Sequence, residues 1–356
     1  MSDILPFLKS LISVAGLSGH EGPVLQIIQE KWKPLVDELA VSRLGSLHGL
    51  KRGKGGRNRS SILVATHMDA IGLIVTKVTE GVLHFDEIGG VDARILPGTP
   101  VKVHGKRELG GVVAMPPAQT LQAHAAGEAL GLAELIVDVG LPAANVAQLV
   151  NTGDLISFDT RPVEMSGEYL SGHTLDNRAS VAALTMCLEE LQSRLHAWDV
   201  WAVATAQEEE TLGGAATSAF DLQPDMAVVI DVTFAKGPGS SGWENVPFGK
   251  GPTIGWGANL HPFLHDRLKD LAGRLDLPVV DLPVPTYSGT DAYAIQVARA
   301  GIPTALLSIP LRYMHTPVEV ISVKDVQRVG RLLAEFITGL EPDFASKITW
   351  ENKDAD

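Results

Sequence analysis

The sequence predicts an α/β protein, a mostly parallel sheet flanked by helices and interrupted by a small inserted β-barrel. Three observations carry this. Runs such as Ser61–Thr66, Val200–Ala206 and Met226–Ile230 are apolar almost throughout, as strands covered on both faces are. Outside residues 71–163 these runs alternate with segments whose apolar residues recur every three or four positions, the arrangement of helices laid over a parallel sheet. Within residues 71–163 the texture changes to short β-rich runs broken by Gly and Pro, which reads as a barrel-like module. The expected division is therefore a main domain from residues 1–70 and 164–356, with residues 71–163 inserted.

Composition narrows the class. At 356 residues the chain exceeds the usual single domain, and 45% hydrophobic with 20% charged residues describes a folded globular protein. A formal net charge of -13 argues against nucleic acid or an anionic membrane as partner. Cys187 is the only cysteine, so neither a disulfide framework nor a thiolate metal site is expected. Met1–Gly16 carries Asp3 and lacks a basic region before its apolar run, and no run reaches membrane-spanning length. A cytoplasmic location, with no membrane partner, is the expectation.

Taken in order, Asp3–Val14 reads as a short amphipathic helix. Ser18-Gly19-His20-Glu21 opens a second, with Ser18 or a neighbour as cap, Val24, Ile27, Ile28 and Trp32 on one face, and His20 as a structural residue. Leu39–Leu50 reads as strand and turn, and Lys51–Arg57 as an exposed basic loop. Ser61–His67 is a buried strand ending in His67-x-Asp69. In a strand, residues two apart share a face, so Asp69 can hold the far nitrogen of a metal-bound His67.

The insertion offers six β-rich runs: Ile71–Val78, Val82–Phe85, Thr99–Val103, Gly111–Ala114, Leu135–Val139 and Asp154–Ser157. No regular helix is expected among them, and the Ala- and Gln-rich stretch Pro116–Gly131 has no evident structure. Asp86, Glu87, Asp92 and His104 read as surface or turn residues. A helix follows from Asp176 through Leu191, for which Asp176 could serve as N-cap. Asp199–Ala206 is the central strand and ends in Glu208-Glu209-Glu210. Asp225–Thr233 is another buried strand, carrying Asp231 near its end. Phe263–Leu275, Asp291–Ala300 and Lys324–Thr338 read as helices, and Pro278–Leu282 and Pro303–Ile309 as strands, the latter leading to His315.

His67, Glu208, Glu209 and Asp231 thus fall at carboxyl ends of strands, where ligands bind in open α/β sheets, and Asp176 and His315 lie in loops able to reach that edge. Packed carboxylates at buried strand ends repel one another unless a cation is present. Two histidines and several carboxylates without thiolate suit zinc, cobalt or manganese. The ligands outnumber what one tetrahedral ion needs, so two ions about 3.5–4 Å apart with a bridging carboxylate are expected, and one glutamate of the Glu208–Glu209 pair would be left as general base.

The segments His67-x-Asp69, Leu175-Asp176-Asn177-Arg178, Gln207-Glu208-Glu209, Ile230-Asp231-Val232-Thr233, Gly289-Thr290-Asp291-Ala292 and Arg312-Tyr313-Met314-His315-Thr316-Pro317 resemble, in order, those of the tetrahedral (TET-type) metalloaminopeptidases. That family includes glutamyl and deblocking aminopeptidases, and some members are labelled endoglucanase. The resemblance implies a dinuclear enzyme cutting residues from peptide N-termini. It implies that Asp176 bridges two metals, zinc or cobalt foremost, with His67 and Asp231 on one and Glu209 and His315 on the other. Glu208 would be the base and Asp69 the acid orienting His67. The insertion would be a dimerisation domain, serving assembly rather than chemistry, and the dimers would build a tetrahedral dodecamer. The chain departs from the family pattern at Glu210-Thr211-Leu212-Gly213-Gly214-Ala215, where an acid is added and an arginine is missing, and at Pro116-Pro117-Ala118-Gln119. A glycosidase would also use paired carboxylates but leaves His67 and His315 unexplained, and aromatic residues for stacking sugars are only 5% of the chain. A catalytically silent assembly protein would not need the complete ligand set.

Overall fold

The computed structural model describes residues 3–54, 59–115, 131–240 and 242–350. Most of the Pro116–Gly131 stretch and the tip of the Lys51–Arg57 loop lie outside the described residues.

The chain opens with helices α1 (Leu5–Leu11) and α2 (Gly22–Trp32). Val24, Ile28 and Trp32 bury one face of α2, as their spacing predicts. Of the residues expected to cap it, Glu21 takes the N-cap position, with no side-chain capping bond, and His20 is exposed. Strands β1 (Glu38–Val41), β2 (Leu47–Lys51) and β3 (Ser61–His67) follow. The chain then leaves the sheet for β4 (Gly72–Thr79), β5 (Val82–Ile88), β6 (Pro100–His104), β7 (Glu108–Ala114), β8 (Ile136–Asp138), helix α3 (Ala143–Leu149) and β9 (Leu155–Phe158). These six strands close a barrel in the order β4-β5-β8-β7-β6-β9 around Leu73, Val75, Leu83, Val103, Val113, Val137 and Ile156. Helix α3 was not expected; its only fully buried residue is Val146, too little apolar periodicity to be read as a helix.

The chain returns through β10 (Val163–Met165) and β11 (Tyr169–Gly172) to α4 (Leu175–Glu190), β12 (Asp199–Thr205), the single turn α5 (Glu208–Thr211) and α6 (Gly213–Leu222). Then come β13 (Met226–Phe234), β14 (Thr253–Gly257), α7 (Pro262–Arg274), β15 (Val280–Val284), α8 (Asp291–Gln296), β16 (Thr304–Arg312), β17 (Glu319–Ser322) and α9 (Val323–Thr338). The sheet runs β1-β2-β12-β3-β13-β16-β17-β11-β10, with β14 paired to β16 and β15 to β14. Its centre, β12-β3-β13-β16, and the β14-β15 pair are parallel, and the other pairs are antiparallel.

Alternate residues of the central strands enter two cores. Ile62, Val64, Val200, Ala202, Val228 and Ile230 pack beneath α1, α2, α4, α7 and α9. Leu63, Ala65, Val203, Ala227 and Val229 pack on the other face against Ala215 and Ala219 of α6 and Ala292 and Ile295 of α8. This double coverage is why the strands read as unbroken apolar runs. Helix α4 is buried around its circumference from Leu175 to Leu188, Cys187 included. Buried Arg178 donates to the carbonyls of Leu11, Val14, Gly16 and Met68, tying the amino-terminal segment to the end of β3. Burial holds its guanidinium down, to about 9.

Candidate metal centre

β3 and β12 end side by side, level with Asp231 in the longer β13, and the predicted residues meet there. His67 is the last residue of β3, Asp231 lies in β13, and Glu208 and Glu209 open the turn after β12. Asp176, expected as a possible helix cap, is not one. It sits at non-helical φ/ψ at the start of α4, with its carboxylate turned to the histidines. His315 follows β16 at φ +59°. His67, Asp69, Asp176 and Asp231 are buried, and the side chains of Glu208 and Glu209 are nearly so. His315 is more open, at 37% side-chain exposure. A cavity of about 470 Å³ opens over these residues, walled also by Leu212, Thr233, Phe234, Tyr287 and Met314.

The distances sort the side chains into two halves about Asp176. Its Oδ1 lies 3.1 Å from Nε2 of His67, and its Oδ2 lies 3.6 Å from Nε2 of His315. Asp231 Oδ1 and Glu208 Oε2 lie 3.7 and 3.8 Å from the His67 nitrogen. Glu209 Oε2 lies 3.4 Å from that of His315. Donor atoms of His67, Glu208 and Asp231, and of His67, Asp176 and Glu209, converge within 4.8 Å of one another. By proximity alone the two glutamates are equivalent, one in each grouping.

Asp69 organises the inner half. Its Oδ1 is 3.5 Å from Nδ1 of His67, as the His-x-Asp spacing predicted. The same carboxylate accepts the backbone N–H groups of Glu208 and Glu209 at 3.0 and 3.2 Å, aligning the glutamate turn with the histidine.

The electrostatics call for a cation. Burial first, and repulsion from Asp231, Asp291 and Asp176 next, push the Glu208 carboxyl well above its usual range against the pull of His67. Burial and then Asp176 do the same to Glu209, and burial raises Asp231. Burial disfavours the His67 imidazolium, yet Glu208, Asp176, Asp231 and Asp69 together outweigh it and hold the ring's pKa well above the ordinary histidine value. Asp69 is lowered, because its bonds to His67 and the Glu208 and Glu209 amides overcome burial. One imidazolium proton offers too little charge for so many buried carboxylates, whereas oxygen and imidazole donors converging from several elements fit divalent ions.

Three supporting acids were not foreseen. Glu319, buried at the start of β17, accepts the N–H of Asp176 through Oε2 at 3.1 Å and that of His315 through Oε1 at 3.2 Å. Glu21 accepts the N–H groups of Gly19 and Gln207, bracing the turn before Glu208. Asp291 accepts from Thr205 Oγ1 at 2.5 Å while its Oδ1 has no partner; burial raises its carboxyl to about 7. Asp291 stood in a motif the sequence had flagged. Glu319 lies only four residues beyond His315, in a run too short to be read as a strand. The barrel also reaches the centre, through Gly89 and Gly90, although the insertion was expected to serve assembly rather than chemistry.

Residues 45–332 match the family model described as M42 glutamyl aminopeptidase. The chain belongs to this family. Among relatives, it is 31% identical to the lysyl aminopeptidase of Pyrococcus furiosus, over 94% of this chain and 97% of that one. Its fold is similar to the TET aminopeptidase of a marine-sediment thaumarchaeon, at a TM-score of 0.91 and 29% identity, covering 97% and 99% of the two chains. It is also similar to the TET1 peptidase of Pyrococcus horikoshii, described as assembling into a tetrahedron or a large octahedral shell. That match has a TM-score of 0.82 and 28% identity, over 95% of this chain and 100% of the other. No helix among the described residues is long and apolar enough to cross a membrane.

Proposed function

We propose that this chain is a dinuclear metal-dependent aminopeptidase that removes residues from the amino termini of peptides. Family membership supports the aminopeptidase activity. The observation that carries the dinuclear reading is the placement of Asp176, whose two carboxylate oxygens face two different histidines. His67 and Asp231 would hold one ion, Glu209 and His315 the other, and Asp176 both. The donors suit zinc, cobalt or manganese, and the family resemblance puts zinc and cobalt first. When bound, the pair would acidify a water and polarise the scissile carbonyl.

The chain's own side chains do the rest. Glu208 Oε2 takes the proton lost by the attacking water and returns it to the departing amine nitrogen. Its place beside the histidine and Asp231 half of the centre puts Oε2 within reach of a water held there. Asp69 keeps His67 and the glutamate turn in register, so that base and ligands hold fixed positions through the reaction. The carboxylate-rich floor of the cavity would draw in the ammonium of a free N-terminus.

Peptide substrates are the expected partners, and the protein itself the other: dimers joined through residues 71–163, assembled into a tetrahedral dodecamer. The test is a panel of amino-acid p-nitroanilides assayed after chelation and again after adding zinc, cobalt or manganese. Hydrolysis that disappears and returns with metal supports the reading. Full activity in protein shown by elemental assay to be metal-free sinks it.

A further inference from the structure

We infer that the Gly89-Gly90 turn of the inserted barrel is a working part of the metal centre: it positions His315, and Glu210 holds the turn in place. This inference rests on the metal reading given above.

The carbonyl of Gly90 lies 2.9 Å from Nδ1 of His315. A carbonyl can only accept, so Nδ1 carries the proton and Nε2, the nitrogen beside Glu209 and Asp176, keeps its lone pair for a metal. His67 is confined by burial, and Asp69 Oδ1 lies 3.5 Å from its Nδ1 just beyond the end of β3. His315 has neither aid. Its side chain is 37% exposed, it sits in a loop at positive φ, and its orienting acceptor is 225 residues away along the chain.

The turn is fixed from both sides. Gly89 donates its N–H to Oε1 of Glu210 at 2.6 Å, and Glu87 Oε2 accepts the N–H of Val91 at 2.8 Å. Glycine fits both positions without disturbing the turn. Gly89 has φ +74°, and a Cβ there would meet Cγ2 of Ile71 at 2.5 Å. A Cβ on Gly90 would lie 3.0 Å from Nδ1 of His315, pressing on the ring the carbonyl orients. Glu210, the third acid after the central strand, therefore links the glutamate turn to the barrel and, through it, to the outer half of the centre. Removing the insertion would leave His315 without its acceptor.

The experiment uses full-length protein, stripped of metal and titrated with Co²⁺ or Zn²⁺ against a chromophoric chelator, with the Co²⁺ visible spectrum as a second readout. Glu210→Ala and Gly90→Ala should weaken one of the two ions by about 10–100-fold, the usual cost of losing a histidine's outer partner. Glu210→Gln should bind as wild type, because its amide oxygen still accepts from Gly89. Gly110→Ala, whose Cβ would enter open space on the same barrel, is the control and should change nothing. Two ions bound at wild-type affinity by both folded variants overturn the inference and leave the metal reading standing. A Glu210→Gln loss equal to that of Glu210→Ala overturns the hydrogen-bond role of Glu210. Wild-type protein that binds no metal overturns both readings. Should Gly90→Ala misfold, exposed Glu210→Ala decides alone.

Discussion

Glu208 and Glu209 are adjacent, similarly buried and almost equally distant from an imidazole, yet the proposed chemistry gives them different work. A base is separable from a ligand by what its removal does to the metal. Glu208→Gln should keep near-normal metal content and substrate binding while losing about 10²–10⁴-fold in kcat. Glu209→Gln should lower occupancy, with activity partly recovered at high metal concentration. Metal content and kcat measured on both variants decide the assignment, and the opposite pattern reverses it. Six of the seven predicted side chains line one cavity, with Asp69 buried behind them. His67, Glu208, Glu209 and Asp231 were flagged by a local event, an acid or histidine toward the end of an apolar run, and Asp176 and His315 by loops able to reach the same edge. Glu21 and Glu319 gave no such signal. Each accepts the backbone N–H of a residue far along the chain, Gln207 for Glu21 and Asp176 for Glu319, a relation that neither spacing nor periodicity encodes.

At the scale of elements, the centre depends on loops held at fixed separations, and β17 with its Glu319 is the clearest case. One buried carboxylate accepts the amides at the start of α4 and in the loop after β16, and so sets the distance between Asp176 and His315. Glu319→Ala would orphan two N–H groups and should cost about 2–4 kcal/mol in urea unfolding. Glu319→Gln, with one acceptor oxygen remaining, should cost less. Equal stability of wild type and Glu319→Ala would remove this role. The central strands and the long helices were legible because full burial leaves a strong pattern. The shorter elements α3, α6, β10, β11, β14 and β17 were not: they are short, or their small residues carry little periodicity. The Gly89-Gly90 pair marked a turn plainly, but nothing local said that it closes on His315.

For the whole molecule, the excess of buried acid makes stability depend on metal and pH together. The carboxyls of Glu208, Glu209 and Asp231 are raised in the folded state, so between their unfolded and folded pKa values the native protein binds more protons than the unfolded chain. Metal-free stability from these groups is therefore present at low pH and lost as pH rises past the ordinary carboxylate range. The raised His67 acts in the same sense from near 6.5 upward. Metal replaces the protons, so the difference in Tm between loaded and stripped protein should be larger at pH 8 than at pH 5. A difference that shrinks with pH would contradict this picture. The barrel joins the main domain at Gly72 and Phe158 and carries a core of its own. Light scattering should find a particle far larger than one 37.8 kDa chain, and a monomer at micromolar concentration would refute the proposed assembly.

The measurement closest to the central claim is the number of ions bound per subunit by stripped protein, taken for wild type and for Asp176→Ala. Among the described residues, Asp176 is the one carboxylate with an oxygen within 4 Å of each histidine's Nε2. Wild type should bind two zinc or cobalt ions, and Asp176→Ala should retain neither tightly. A wild-type stoichiometry of one, or an Asp176→Ala variant that still binds two ions at full affinity, would contradict a dinuclear centre bridged by this residue.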